Sequence, residues 1–139
     1  MAPNPRPHPL AELYAEAEKV YREVQARLGK LRETLGRLEA ELQRMEAELF
    51  RDYGPGYLTV KTVRNGSGRR YRYPVWRRLG GGEVYLTRDP RARKLLALRE
   101  QARRLRRQIT RAKHAARTAW AYMQTTREYR DACTSGRTA

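Results

Sequence analysis

Two apolar seams at coiled-coil spacing, separated by a stretch that reads as strand, leave this chain few ways to fold. The first seam is Leu10, Leu13, Ala17, Val20, Val24, Leu28, Leu31, Leu35, Leu38, Leu42, Met45 and Leu49. The second is Leu95, Leu98, Ala102, Leu105, Ile109, Ala112, Ala116, Ala119 and Met123. Steps of three and four keep each set on one narrow stripe of a helix, which is the signature of a paired helix. The second seam is unbroken. The first takes one four-four step across Val20, Val24 and Leu28, read here as a stutter that unwinds the supercoil locally. Gly54-Pro55-Gly56 ends the first helix, and Asp89-Pro90 opens the second with a cap and a proline at the first helical position. The predicted helices are 10–53 and 90–131. Their matched lengths predict an antiparallel hairpin in which Leu49 faces Leu95, Leu42 faces Ala102, and Glu46 lies beside Arg99.

Between the helices, residues 57–88 read YLTVKTVRNGSGRRYRYPVWRRLGGGEVYLTR. Asn65-Gly66-Ser67-Gly68 is a hairpin turn between strands at about 57–64 and 69–78. Gly80-Gly81-Gly82 turns the chain into a third strand at about 83–88. Pro74 cannot donate to a ladder, so it marks a bulge or an edge position. The predicted fold class is mainly-α α+β: two long helices in an antiparallel coiled-coil hairpin, with a small three-stranded antiparallel sheet at the tip. Residues 10–131 are read as a single helix–sheet–helix domain, 1–9 as a proline-rich disordered arm and 132–139 as a flexible tail.

Charge decides what such a chain can bind. The formal net charge is +16, and it is unevenly placed. From Leu10 to Asp52 acids slightly outnumber bases, whereas nearly all the positive excess follows Tyr53. A surface made basic only for solubility would not be so lopsided; a polyanion site would. The predicted nucleic-acid contacts in the sheet are Arg64, Arg69, Arg70, Arg72, Trp76, Arg77, Arg78 and Arg88. Those on the outer face of the second helix are Arg93, Arg103, Arg104, Arg107, Arg111, Lys113 and Arg117. Only Glu100 offsets them between Asp89 and Glu128. Like charges three and four residues apart repel, and a phosphate backbone laid along them relieves that repulsion. Strand alternation puts Arg70, Arg72, Trp76 and Arg78 on one face, read as the ligand face with Trp76 as its stacking ring. It puts Tyr71, Tyr73, Val75 and Arg77 on the other, read as the packed side.

Catalytic signatures are missing from the sequence. His8 and His114 stand far apart, no phosphate-cradling Gly-Lys-Ser/Thr loop occurs, and the carboxylates beyond the first helix are scattered. The expectation is a non-enzyme with no catalytic residues, no metal and no cofactor. A single cysteine, Cys133, neither staples a fold nor builds a metal site, and points to a reducing compartment. The N-terminal MAPNPRPHPL lacks the apolar core of a signal peptide, and no run is long enough to span a membrane. Cytoplasmic localisation follows.

The stretch from Gly56 through RYRYPVWRR to EVYLTRDPRARKLLALREQARRL resembles a small prokaryotic domain family of unknown function, often encoded near mobile elements. Its members have a leading helix, a short sheet opened by a Gly-x-Tyr strand and rich in Tyr and basic residues, and a trailing helix. They commonly carry two cysteines between the first two strands, where this chain has Asn65-Gly66-Ser67-Gly68. The resemblance implies the fold and the absence of any cysteine-dependent role. Two functions fit the residues. One is largely sequence-independent binding of DNA or RNA through the sheet and the second helix. The other is a coiled-coil interaction module that docks on a larger nucleoprotein machine such as a polymerase, nuclease or phage complex. Leu96, Trp120 and Tyr122 flank the second seam and are candidate contacts for a partner or a homodimer.

Overall fold

The computed structural model describes residues 9–134, which form α1 (Pro9–Tyr53), β1 (Gly56–Arg64), β2 (Arg70–Arg78), β3 (Glu83–Tyr85) and α2 (Pro90–Thr134). This is the predicted order: two long helices with a three-stranded antiparallel sheet between them. Residues 1–8 of the proline arm and 135–139 of the tail lie outside the described residues. The second helix runs past its predicted end, to Thr134, and β3 stops at Tyr85 instead of continuing to 88. The chain groups into two compact units, one of residues 34–105 and one of 1–33 with 106–139.

In the 34–105 unit the predicted seam is buried nearest the sheet, while Leu35, Leu38 and Leu105 are half-buried. Leu42, Met45 and Leu49 of α1 join Ala92, Leu95, Leu98 and Ala102 of α2 in one core, which also takes in Leu58, Trp76 and Leu86 from the sheet region. The predicted pairing of Glu46 with Arg99 forms at 3.3 Å, and Arg99 also donates to the Leu58 carbonyl at 2.7 Å. One guanidinium thus ties α2 to both α1 and β1. The end of α1 is set by Gly54, whose φ of 89° lets its N–H return to the Phe50 carbonyl at 2.8 Å. Gly56 is fixed by close approach: a Cβ there would lie 2.2 Å from the Arg77 carbonyl oxygen and 2.7 Å from Trp76 Nε1.

The sheet order is β1-β2-β3, so β2 is central and pairs with β1 along its whole length without a bulge. Pro74 therefore sits neither at a bulge nor on an edge strand. Its carbonyl accepts from Leu86 N–H on the β3 side, at 2.9 Å. In a strand, N and O of one residue point the same way, so the missing donor faces the side where β3 has already ended. The ladder to β1 loses nothing.

The other unit corrects the first seam. Tyr14 and Tyr21, not Leu13 and Val20, hold the inward positions: they are half-buried, while Leu13 is 51% and Val20 46% exposed. Arg130 lies over the Tyr14 ring at 5.2 Å, and Trp120 meets Tyr21 at 5.6 Å between ring centroids. With the two tyrosines included, the positions 14, 17, 21, 24 and 28 keep the 3-4 repeat, and the stutter disappears. The facing residues of α2 are mostly Ala112, Ala116 and Ala119, so the large rings of α1 fill room that those alanines leave.

Candidate functional site

The sheet has one covered face and one open face, in the opposite sense to the sequence expectation. Leu58 and Trp76 are direct cross-strand partners and both enter the helical core. Trp76 is 2% exposed and its Nε1 donates to the Gly54 carbonyl at 3.0 Å. It is a core residue and cannot stack on a ligand. The reason is leverage: at the root of the hairpin the largest ring buries the most apolar area, so its face turns toward the helices. The face assigned to packing is the open one. It carries Tyr57, Tyr71, Tyr73 and Tyr85, with Tyr71 39% and Tyr85 53% exposed. Tyr71 and Tyr73 lie nearly parallel with centroids 6.3 Å apart, and Tyr85 meets Tyr73 edge-on at 6.1 Å.

Two cations share that open face with one acid. Lys61 Nζ lies 3.0 Å and Arg77 Nε 3.3 Å from the Glu83 carboxylate. The carboxylate holds Lys61 above its ordinary ammonium range, and Lys61 holds Glu83 below the usual carboxylate value. The trio keeps a net positive charge beside Tyr85, whose ring also faces Lys61 at 5.9 Å.

The remaining predicted residues differ in how free they are. Arg64, Arg69, Arg70, Arg72 and Arg88 are exposed and have no acidic partner among the described residues. Arg64 and Arg70 are direct cross-strand partners, a like-charge pair that works against the hairpin. Asn65 offsets it: its side-chain oxygen accepts from Ser67 N–H at 3.0 Å, from the Ser67 hydroxyl at 2.7 Å and from Arg69 N–H at 3.1 Å. Arg78 is engaged elsewhere, donating to the Tyr53 carbonyl at 3.2 Å near the end of α1. Between the hairpin and α2 runs a groove of about 690 Å³ lined by Leu58, Thr59, Val60, Arg72, Pro74, Arg93, Leu96, Arg99, Glu100 and Arg103. Arg72 and Arg93 face it without an acid, while Glu100 draws in Arg103 at 3.3 Å and Arg104 at 3.6 Å.

In the other unit, Arg107, Arg111, Lys113 and Arg117 are exposed on α2 and have no acidic partner among the described residues. Lys113 and Arg117 help line a cavity of about 500 Å³ with Tyr21, Gln25, Leu28, Arg32, Ala116 and Trp120. Sequence reasoning gave Arg32 and Tyr21 no role there; once Tyr21 is placed in the seam, Arg32 follows three turns on.

Sequence reasoning also missed a clasp where α1 ends and α2 begins. Arg91 binds Asp89 through two nitrogens, at 3.1 and 2.8 Å, and reaches Asp52 at 2.6 Å. Tyr53 donates its hydroxyl to Asp89 at 2.7 Å, and Asp89 caps α2 through Arg91 N–H at 3.0 Å. These donors hold the Asp89 carboxyl down to about 2, with the Arg91 guanidinium the largest cause. The clasp spends its carboxylates on structure. Among the described residues no group of three or more His, Cys, Asp or Glu side chains is arranged to hold a metal ion. No described helix is long and apolar enough to cross a membrane.

No protein-family model, no curated protein and no solved structure matches this chain.

Proposed function

We propose that this chain is a non-enzymatic nucleic-acid-binding protein that grips phosphates largely without regard to sequence, in the reducing environment of the cytoplasm. The observation that carries the reading is the end of the β1–β2 hairpin. Arg64, Arg69, Arg70 and Arg72 gather there with no acidic partner among the described residues, and two of them directly oppose each other. A fold gains nothing from that arrangement, whereas a polyanion neutralises it and releases counterions. Arg88 and Arg93 extend the same unit's positive surface, and Arg107, Arg111, Lys113 and Arg117 give the other unit one of its own. Among the described residues no helix is patterned for base-edge readout, so phosphate contact dominates.

The test is fluorescence anisotropy with labelled DNA and RNA over a salt series. If the four hairpin arginines each neutralise one phosphate, affinity for duplex DNA falls roughly hundredfold between 50 and 200 mM salt. Reversing Arg64, Arg70 and Arg72 to Glu removes most of the binding. Affinity that is flat with salt, or unchanged by the reversal, overturns the reading.

A second reading, an interaction module, is favoured by one feature. In the 1–33/106–139 unit, Leu13, Ala17, Val20, Ala115, Ala119 and Tyr122 line an open, mainly apolar groove of about 440 Å³. Sedimentation at micromolar concentration tests it through the simplest partner, a second copy. A dimer that Val20→Glu dissociates supports the module; a monomer unaffected by Val20→Glu rules out self-association through this groove.

A further inference from the structure

We infer that the ligand is single-stranded nucleic acid, with its bases stacked on the open tyrosine face of the sheet. The inference rests on the nucleic-acid reading above and narrows it. The tyrosines have to be explained first as packing, and packing explains only some of them. Val75 is fully buried although it lies on the open face. The positions around it on that face are Tyr57, Thr59, Tyr73, Arg77 and Tyr85. Tyr57, Tyr73 and Tyr85 therefore have a covering role beside any other. Tyr71 has none. It lies past Tyr73 in a section of hairpin where every residue from Thr62 to Arg72 is exposed. Its cross-strand partner, Val63, is itself 37% exposed. Its hydroxyl receives one long hydrogen bond, from Asn65 at 3.3 Å.

A large ring held in the open, covering no buried residue, has a purpose when a flat ligand arrives. Tyr71, Tyr73 and Tyr85 form a row with centroids 6.1–6.3 Å apart, Tyr85 turned edge-on to Tyr73, so a flexible single strand can turn one base onto Tyr71 and another onto Tyr85. Arg69 stands at one end of the row and Lys61 and Arg77 share its face, and these supply the phosphate contacts. Beyond Pro74 no β3 residue pairs with β2, so the strand carrying Tyr71 is open at that edge and a polymer can pass over it. Every base has a π-face, so such a row is indifferent to sequence. A duplex cannot use it, because its bases are already stacked on each other and unstacking them costs free energy. A run of carboxylates on a polypeptide would satisfy the arginines but gives the rings nothing to stack on.

The experiment compares a labelled 20-nucleotide single strand with the matching duplex, by anisotropy, for the full chain and for Tyr71→Ala, Tyr85→Ala and Tyr71→Phe. Each alanine variant is expected to weaken single-strand binding roughly tenfold, with duplex binding unchanged. The phenylalanine variant, which keeps the ring, is expected to bind like the parent. Circular dichroism melts confirm that the variants fold; Tyr71→Ala, which uncovers nothing buried, is the decisive one. A second measurement needs no variant. An oligonucleotide carrying 5-iodouracil, irradiated on the unaltered protein, should crosslink to the peptides holding Tyr71 and Tyr85. Alanine variants that bind the single strand as well as the parent does, or crosslinks confined to α2, overturn the stacking proposal while salt-sensitive binding leaves phosphate recognition standing. Loss of single-strand and duplex binding in equal measure assigns the tyrosines to hairpin structure and also overturns it. Failure of the unaltered protein to bind any nucleic acid in low salt, or displacement by polyglutamate as effective as by oligonucleotide, removes both readings together.

Discussion

The two ends of the β1–β2 hairpin share the same strands and the same regular register, yet they are built for different things. At the root, Leu58, Pro74, Val75 and Trp76 are buried, and the covered face joins a core of helical leucines. At the far end, from Thr62 to Arg72, nothing is buried and arginine is the commonest residue. Alternation of side chains runs unchanged through both halves. What changes is whether a helix lies beneath. A strand pair therefore acquires a structural half and a binding half simply by outrunning the elements that support it. The structural half should be sensitive to any loss of volume, and the other half nearly indifferent.

Trp76→Ala is the strongest way to test that contrast. Removing the largest fully buried ring at the root should cost about 3–5 kcal/mol, read from denaturant unfolding followed by circular dichroism. Trp76→Phe keeps most of the apolar area but leaves the Gly54 carbonyl without its donor, and should cost about 1–2 kcal/mol. If Trp76→Ala instead leaves stability intact and removes nucleic-acid binding, the ring belongs to the binding half and the division is wrong. Next in size comes Gly56→Ala. The new Cβ would meet the Arg77 backbone at 2.2 Å, which no rotamer can relieve, so a loss of about 1–3 kcal/mol is expected. The matched change Gly66→Ala, in the far turn where a Cβ would meet nothing within 4 Å, should stay within about 0.5 kcal/mol of the parent.

That the root would be a sheet anchored between two helices is legible in the sequence, because turn signals and seams are local patterns. Which face of the sheet would be covered is not. Period-two alternation separates Tyr71, Tyr73 and Val75 from Arg70, Arg72 and Trp76 but is symmetric between the two sets. Counting arginines favours one answer, whereas the one tryptophan of the sheet, Trp76, whose indole N–H donates to the Gly54 carbonyl, decides for the other. The seam shows a similar limit. Leu13 and Val20 look like better seam residues than Tyr14 and Tyr21 until the partner is known. Opposite a run of alanines, large rings fit and the aliphatics are left outside. The clasp of Arg91 with Asp89, Asp52 and Tyr53 depends on residues brought together by the return of the chain, and only the Asp89 cap is visible as a local signal.

The clasp belongs with the root, and pH separates it from the far end. Asp89 has a folded pKa of about 2, below its ordinary value of 3.8. A depressed carboxyl contributes stability above its unfolded pKa and loses it as pH falls toward the folded one. The loss should therefore fall between about pH 4 and pH 2 and amount to about 1 kcal/mol, allowing for solvent around the pair. Asp89→Asn, which keeps a capping oxygen but removes the charge, should flatten that part of the stability curve. An unchanged acid limb in the variant would mean that other carboxylates carry the acid sensitivity.

The smallest effect concerns the far end alone. Arg64 and Arg70 oppose each other across the strands, so replacing one of them should relieve repulsion instead of removing support. Arg70→Thr is expected to raise stability by about 0.2–0.5 kcal/mol at low salt, since threonine is also a good strand residue. The gain should shrink as added salt screens the parent's pair. The same substitution removes one phosphate contact, so the slope of log affinity against log salt should become shallower by about 0.9 for duplex and about 0.7 for a single strand. Stability and binding then move in opposite directions at one residue. A destabilising Arg70→Thr would mean that the far end, like the root, is held by contacts its exposure conceals.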